Sequence, residues 1–185
     1  MRETLRKLVH LLFGLGIAAL VIVIPRPLMI DLLALSIFGG LVLSELISRG
    51  YGIPLISPFV KFLDREDALP GRGALYFAIS SLVCLILFPV AAVIPAIIAL
   101  AVLDGVATIV GRRFGKTRIY HGKTLEGTVM AMVVTFVALL PFLTPPGAGV
   151  ATVVAGVVEL VSPIDDNLTI PVSVCIALTF IPGLI

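Results

Sequence analysis

Three groups of polar residues interrupt an otherwise apolar chain, and their types suit phosphoryl chemistry. The segment Gly111-Arg112-Arg113-Phe114-Gly115-Lys116-Thr117-Arg118-Ile119-Tyr120-His121-Gly122-Lys123-Thr124-Leu125-Glu126 holds five basic residues and three glycines in sixteen positions. Glycine lets the backbone approach an anion, and Lys and Arg neutralise phosphate oxygens. The segment is not a P-loop: three residues separate Gly111 from Gly115, where that motif requires four and a preceding strand. Asp104 lies about two turns upstream, in an apolar run where an ionised carboxylate costs a few kcal/mol or more unless paired or metal-bound. At helical spacing Asp104, Thr108 and Gly111 share a face leading into the basic segment. A structural ion pair with a basic residue of the bundle is the competing explanation for Asp104. The third group is Asp165-Asp166-Asn167, with Glu159 shortly before it. Two carboxylates and an amide are hard oxygen donors suited to Mg²⁺ shared with substrate phosphates. The plainer alternative is a helix-capping turn with Asn167 as N-cap. Near the start, Arg6, Lys7 and His10 cluster within one helical turn, placed either to snorkel or to touch phosphate. Glu45 has Arg49 at i+4, the spacing of a local ion pair.

The elements that must hold these groups are membrane helices. Of 185 residues 59% are hydrophobic and 13% charged, with mean hydropathy +1.21. A soluble domain of this size rarely lacks so much polar surface. The length suits one domain, 1–185. The basic-then-apolar start has no small-residue cleavage site before a polar region, so it is read as a retained first helix. Cys84 and Cys175 each stand alone in apolar sequence and are expected to be small buried thiols, without a metal or redox partner.

About 20 apolar residues cross a bilayer. Spans are expected at Leu8–Ile24, at Leu28–Ser48, twice within the apolar run Ala74–Val110 around a hairpin at 89–95, and at 127–143, 148–161 and Leu168–Ile185. Residues 51–63 are expected to lie flat at the interface. The result is an all-α polytopic protein of about seven spans. With the N-terminus cytoplasmic, segments 1–7, 49–73, 111–126 and 162–167 share the inner side and carry twelve of the thirteen Lys and Arg residues, leaving Arg26 outside. That is the positive-inside pattern. Every candidate site residue then falls near the cytoplasmic face of the cell membrane.

At these residues the chain resembles the dolichol (polyprenol) kinases, phytol kinases and CTP-dependent diacylglycerol kinases. Glu3-Thr4-Leu5-Arg6-Lys7-Leu8-Val9-His10 is similar to that family's opening, and Arg65-Glu66 to its loop before the third span. The run Asp104 to Gly115 is similar to its core motif, and Gly122-Lys123-Thr124-Leu125-Glu126-Gly127 to the next. Glu159 with Asp165-Asp166-Asn167-Leu168-Thr169-Ile170-Pro171 is similar to the last. Leu103 departs from the glycine usual before the motif aspartate. The resemblance implies a kinase moving the terminal phosphate of CTP to an isoprenoid or related lipid alcohol. On it, Asp104, Asp165, Asp166 and Asn167 would hold Mg²⁺, and Arg112, Arg113, Lys116, Lys123, Thr124 and Glu126 would bind nucleotide. Arg6, Lys7, His10, Arg65 and Glu66 would be accessory. Asp104, Glu159 and Asp166 would be catalytic; the hydroxyl proton would go to Glu159 or Asp104, between which the sequence does not choose.

Two rivals belong to other classes. A CTP-dependent cytidylyltransferase making a CDP-lipid shares the general layout, but usually carries a longer acidic signature than Asp-Asp-Asn-Leu. A transporter or lipid-binding scaffold would need neither Mg²⁺ nor nucleotide, and would favour acids at mid-membrane. The expected partners are nucleotide, a lipid alcohol and membrane lipid; nothing calls for nucleic acid.

Overall fold

A computed structural model describes residues 2–54, 57, 60, 70–119 and 122–185. Arg65, Glu66, His121 and much of 51–63, the segment expected to lie flat, are outside the described residues. Among those described there are seven helices and no strand: α1 (Arg2–Val23), α2 (Arg26–Ser48), α3 (Arg72–Leu87), α4 (Val90–Phe114), α5 (Leu125–Leu139), α6 (Pro145–Val161) and α7 (Asp166–Phe180). The protein is therefore all-helical over that range.

Three helices are long and apolar enough to cross a membrane: Glu3–Val23 within α1, α2 and α4. The other four run 15 to 17 residues, about 22–26 Å at 1.5 Å per residue, against about 30 Å of hydrocarbon. α1 and α2 leave large apolar side chains outward, among them Leu35 (67% exposed) and Phe38 (66%). Lipid accepts such surface; water does not.

α4 is the axis of the bundle. Every residue from Ala92 to Gly105 except Ile94 is buried, the pattern of a helix apolar all round. It packs most extensively on α5, then on α1 and α7. The chain breaks between α3 and α4 at Phe88-Pro89, where Pro89 is the N-cap of α4. Pro95 lies inside α4 rather than in the break. The expected hairpin at 89–95 is thus confined to its first residue, and α3 and α4 touch little. Arg26, alone on its side in the charge map, donates from Nε to Leu85 O at 2.8 Å and from Nη2 to Ile86 O at 3.1 Å. It satisfies end carbonyls of α3 that have no intrahelical donor.

Close backbone approach sets the two crossings that matter for the site. A Cβ on Gly14 would stand 2.6 Å from Ala101 Cβ and 2.9 Å from Phe77 Cζ, so α1 rests directly on α4. A Cβ on Gly127 would stand 2.7 Å from Ala107 O and 2.9 Å from Gly111 Cα, so the start of α5 rests on the end of α4. Cys84 and Cys175 are free and buried, as expected, and Cys175 Sγ donates to Ala92 O at 3.7 Å, tying α7 to the start of α4.

Candidate functional site

The polar residues of five elements gather at one end of the bundle around a cavity of about 620 Å³. Two lysines organise it.

The first is Lys7. The Gly14–Ala101 crossing runs α1 antiparallel to α4, so Lys7, two turns before Gly14, arrives beside Asp104. Its Nζ lies 2.6 Å from Asp104 Oδ1 and 2.5 Å from Oδ2. His10, one turn on, places Nε2 3.6 Å from Asp104 Oδ2 and sets its ring edge-on to Phe77, centroids 5.1 Å apart. Asp104 is 7% exposed. A buried carboxylate is tolerated when paired, and both of its oxygens are. The ion-pair explanation for Asp104 is therefore realised, with Lys7 as the base, and Asp104 still lines the cavity.

The second is Lys123, carried by the 111–126 segment. Thr124 caps α5, accepting from Gly127 N at 3.3 Å, and wedges against Gly111 and Gly115, where a Cβ would stand 2.6 Å from Thr124 Oγ1. The segment doubles back as a small antiparallel pairing. Ile119 N donates to Lys123 O at 2.8 Å and Leu125 N to Thr117 O at 2.9 Å, while Gly122 takes the left-handed φ of 76° that the turn requires. Glu126 holds the other strand, accepting from Lys116 N and Thr117 N at 3.1 Å each. Its carboxyl sits below the ordinary glutamate range, held there first by its own backbone N–H and then by those of Lys116 and Thr117. From this frame Lys123 Nζ reaches inward to Glu159 Oε1 and Asp166 Oδ2, each at 3.0 Å, and donates to Glu159 O.

The Asp-Asp-Asn turn divides its work. Asp165, not Asn167, is the N-cap of α7. It accepts from Asn167 N at 3.1 Å and from Asn167 Nδ2 at 2.7 Å, and lies 3.7 Å from Arg72 Nη2. Of the three residues only Asp166 lines the cavity. The residues around the cavity thus include the four acids Glu3, Asp104, Glu159 and Asp166. Among the described residues no three His, Cys, Asp or Glu side chains converge as a metal cage.

The basic residues divide as well. Arg112 and Lys123 line the cavity and so does Arg118, which the sequence analysis left in the segment without a role. Arg118 faces Thr124 across the antiparallel bridge, and the alternation Lys116-Thr117-Arg118-Ile119 is the signal that would have picked it out. Arg113 instead lies over Phe114, 5.6 Å from the ring centroid, and Lys116 is exposed; neither lines the cavity. Arg6 pairs with Glu3. Leu103 is fully buried in the core and keeps out of the cavity, so the departure from glycine there does not narrow it. Glu45 pairs with Arg49 at 2.6 Å, exposed and away from the site.

An all-helical protein with spanning-length helices and a charged cavity at one end of the bundle is the class that fold and site define. The chain is 41% identical over 176 residues to an uncharacterized protein of Methanocaldococcus jannaschii, covering 92% of this chain and 90% of that one, and it belongs to the same family. No family model matches the chain, and no solved structure matches it.

Proposed function

We propose that the protein is a multi-pass lipid-alcohol kinase that transfers the terminal phosphate of CTP to an isoprenoid or related lipid alcohol at the cytoplasmic face of the cell membrane. The observation that carries this reading is the pairing of Asp104, Glu159 and Asp166 with a wall of Arg112, Arg118 and Lys123. Phosphoryl transfer asks chiefly for positioning and charge neutralisation, and this cavity offers both signs of charge within one volume. CTP and the isoprenoid acceptor come from the family resemblance; the charges alone fit any nucleoside triphosphate.

The donor set suits Mg²⁺ brought in with the nucleotide. Carboxylate oxygens are hard ligands, and Mg²⁺ commonly takes one or two carboxylates with phosphate oxygens and waters completing its shell. Asp166 would supply the carboxylate, since Lys7 holds both oxygens of Asp104, and a single protein carboxylate is compatible with that habit. Bound there, the ion would neutralise charge on the phosphates. Lys123 would keep Glu159 and turn the bond it gives Asp166 toward the phosphates, while Arg112 and Arg118 hold them from the segment's side. Asp165 and Asn167 act one step back, fixing the turn from which Asp166 projects.

All seven helices would cross the bilayer, the four short ones by locally thinning it or by adding their flanking residues. The twelve bases assigned to the inner side favour that arrangement. Single cysteines at Thr117 and Ser162 in a Cys-free background are then both shielded from an impermeant thiol reagent in intact cells; rapid labelling of one alone breaks it.

The functional test is to supply purified protein with Mg²⁺, CTP or ATP, and a panel of lipid alcohols. The expected product is a lipid monophosphate, formed faster from a polyprenol, dolichol or shorter isoprenoid alcohol than from diacylglycerol. A faster reaction with diacylglycerol reassigns the acceptor. The absence of any lipid phosphate across the panel removes the kinase reading.

A further inference from the structure

Glu3, which pairs with Arg6, lines the cavity together with Asp104, Glu159 and Asp166, and the oxygens of the last three are not equivalent. Asp104 has both oxygens on Lys7, at 2.6 and 2.5 Å. Asp166 sits at the first residue of α7 with its side chain 25% exposed, and gives Oδ2 to Lys123. Glu159 is 5% exposed, the least of the three. Its Oε1 and its backbone O both take Lys123. Its Oε2 is buried and has no hydrogen-bond partner among the described residues.

A buried carboxylate oxygen without a donor costs about 1–3 kcal/mol, more when charged. The chemistry of that position is restrictive. A phosphate oxygen carries no proton to give and would be repelled; a hydroxyl carries one. Lys123, which fixes the other oxygen and the backbone of the same residue, holds the carboxylate from turning away. We infer that Glu159 Oε2 is the proton acceptor for the alcohol substrate, so that the reacting hydroxyl binds against α6 at the buried end of the cavity.

The inference rests on the kinase reading. In the step it implies, the alcohol O–H donates to Glu159 Oε2 and transfers its proton there. The oxygen's electron pair forms a bond to the terminal phosphorus of the nucleoside triphosphate. The bond from that phosphorus to the bridging oxygen breaks, and the nucleoside diphosphate departs with the electron pair. The proton later passes from Glu159 to water, restoring the carboxylate. Asp104, with both oxygens engaged by Lys7, is left a positioning and electrostatic role.

The experiment compares the purified full-length wild type with Glu159→Gln, Glu159→Asp and Glu159→Ala, using Mg²⁺, CTP and the best alcohol of the panel, with calorimetric binding of Mg²⁺·CTP as a check on the folded site. General-base catalysis contributes about 10²–10⁴-fold, so Glu159→Gln should lose at least about 100-fold in kcat and keep the nucleotide KM within about threefold. Glu159→Asp should retain more activity than Glu159→Gln, and added formate should restore about tenfold or more to Glu159→Ala by putting a carboxylate back in the gap. A purely structural partner of Lys123 would give no formate response. The inference is overturned if Glu159→Gln keeps kcat near wild type. It is also overturned if the loss falls on nucleotide binding, or if formate does nothing to a variant that still binds Mg²⁺·CTP. Should Glu159→Ala not fold, Glu159→Asp no more active than a folded Glu159→Gln overturns it alone. Failure of the kinase reading is distinct: the wild type itself then makes no lipid phosphate.

Discussion

Two lysines stand in the same cavity and do opposite things with their charge. Lys7 gives all of it to one aspartate, oxygen by oxygen, between two long helices whose crossing is fixed by Gly14 and Ala101. Lys123 divides its charge between Glu159 and Asp166 and a backbone carbonyl, and it comes from a short looped segment braced by Thr124 and Glu126. The Lys7–Asp104 pair is saturated and the second cluster is not: one oxygen of Glu159 has no donor among the described residues. A saturated buried pair serves architecture, because breaking it strands a charge. An unsaturated cluster on a loop can exchange partners at little cost, which is what binding and turnover require.

The contrast predicts its largest effect on stability at Lys7. Replacing Lys7 by Met strands Asp104, and breaking a buried pair in this way costs about 3–5 kcal/mol. The fall should appear as a lower unfolding temperature in detergent, and pairing it with Asp104→Leu should recover most of it. If Lys7→Met alone is neutral, the two clusters are not different in kind. At the second cluster the effect moves from stability to function. Asp166→Asn should lower kcat about 100-fold through lost charge stabilisation while the protein stays folded. Lys123→Ala should weaken nucleotide binding by about tenfold, the worth of one charge-assisted hydrogen bond of about 1.5 kcal/mol, and leave the lipid KM little changed. An effect of Lys123→Ala confined to the lipid would reverse the assignment of that lysine.

The smallest effect concerns the brace. Glu126 has a folded pKa below the ordinary glutamate value. Its contribution to stability is thus present above that ordinary value and is lost as pH falls through it toward the folded pKa. Glu126→Gln should lower the unfolding temperature slightly at neutral pH, and the difference should close in acid. A difference that persists at low pH would mean that Glu126 acts by packing and not by its charge.

The same contrast explains what was legible in the sequence. The helices could be read because apolar runs between Pro25, Pro89, Pro145 and the basic segment have a clear physical cause. Asp104, Lys123, Glu159 and Asp166 could be singled out because charge in an apolar chain needs a reason. Their partners could not. Whether Asp104 meets Lys7 depends on a helix crossing set by Gly14, and nothing local to either residue encodes that distance. Asp165 and Asn167 were grouped with Asp166 as ligands because adjacency in sequence looks like adjacency in space. At a helix start successive side chains diverge, and the cap takes one while the cavity takes another.

Transfer of a terminal phosphate to a lipid hydroxyl in this cavity is tested directly by the fate of two labels. Purified protein is given Mg²⁺, an isoprenoid alcohol, and CTP labelled either at the terminal phosphorus or at the phosphorus next to the ribose. The terminal label should enter the lipid phase as a monophosphate, with CDP left in water and no pyrophosphate formed. Entry of the ribose-proximal label into lipid, with release of pyrophosphate, would contradict it and make the protein a cytidylyltransferase.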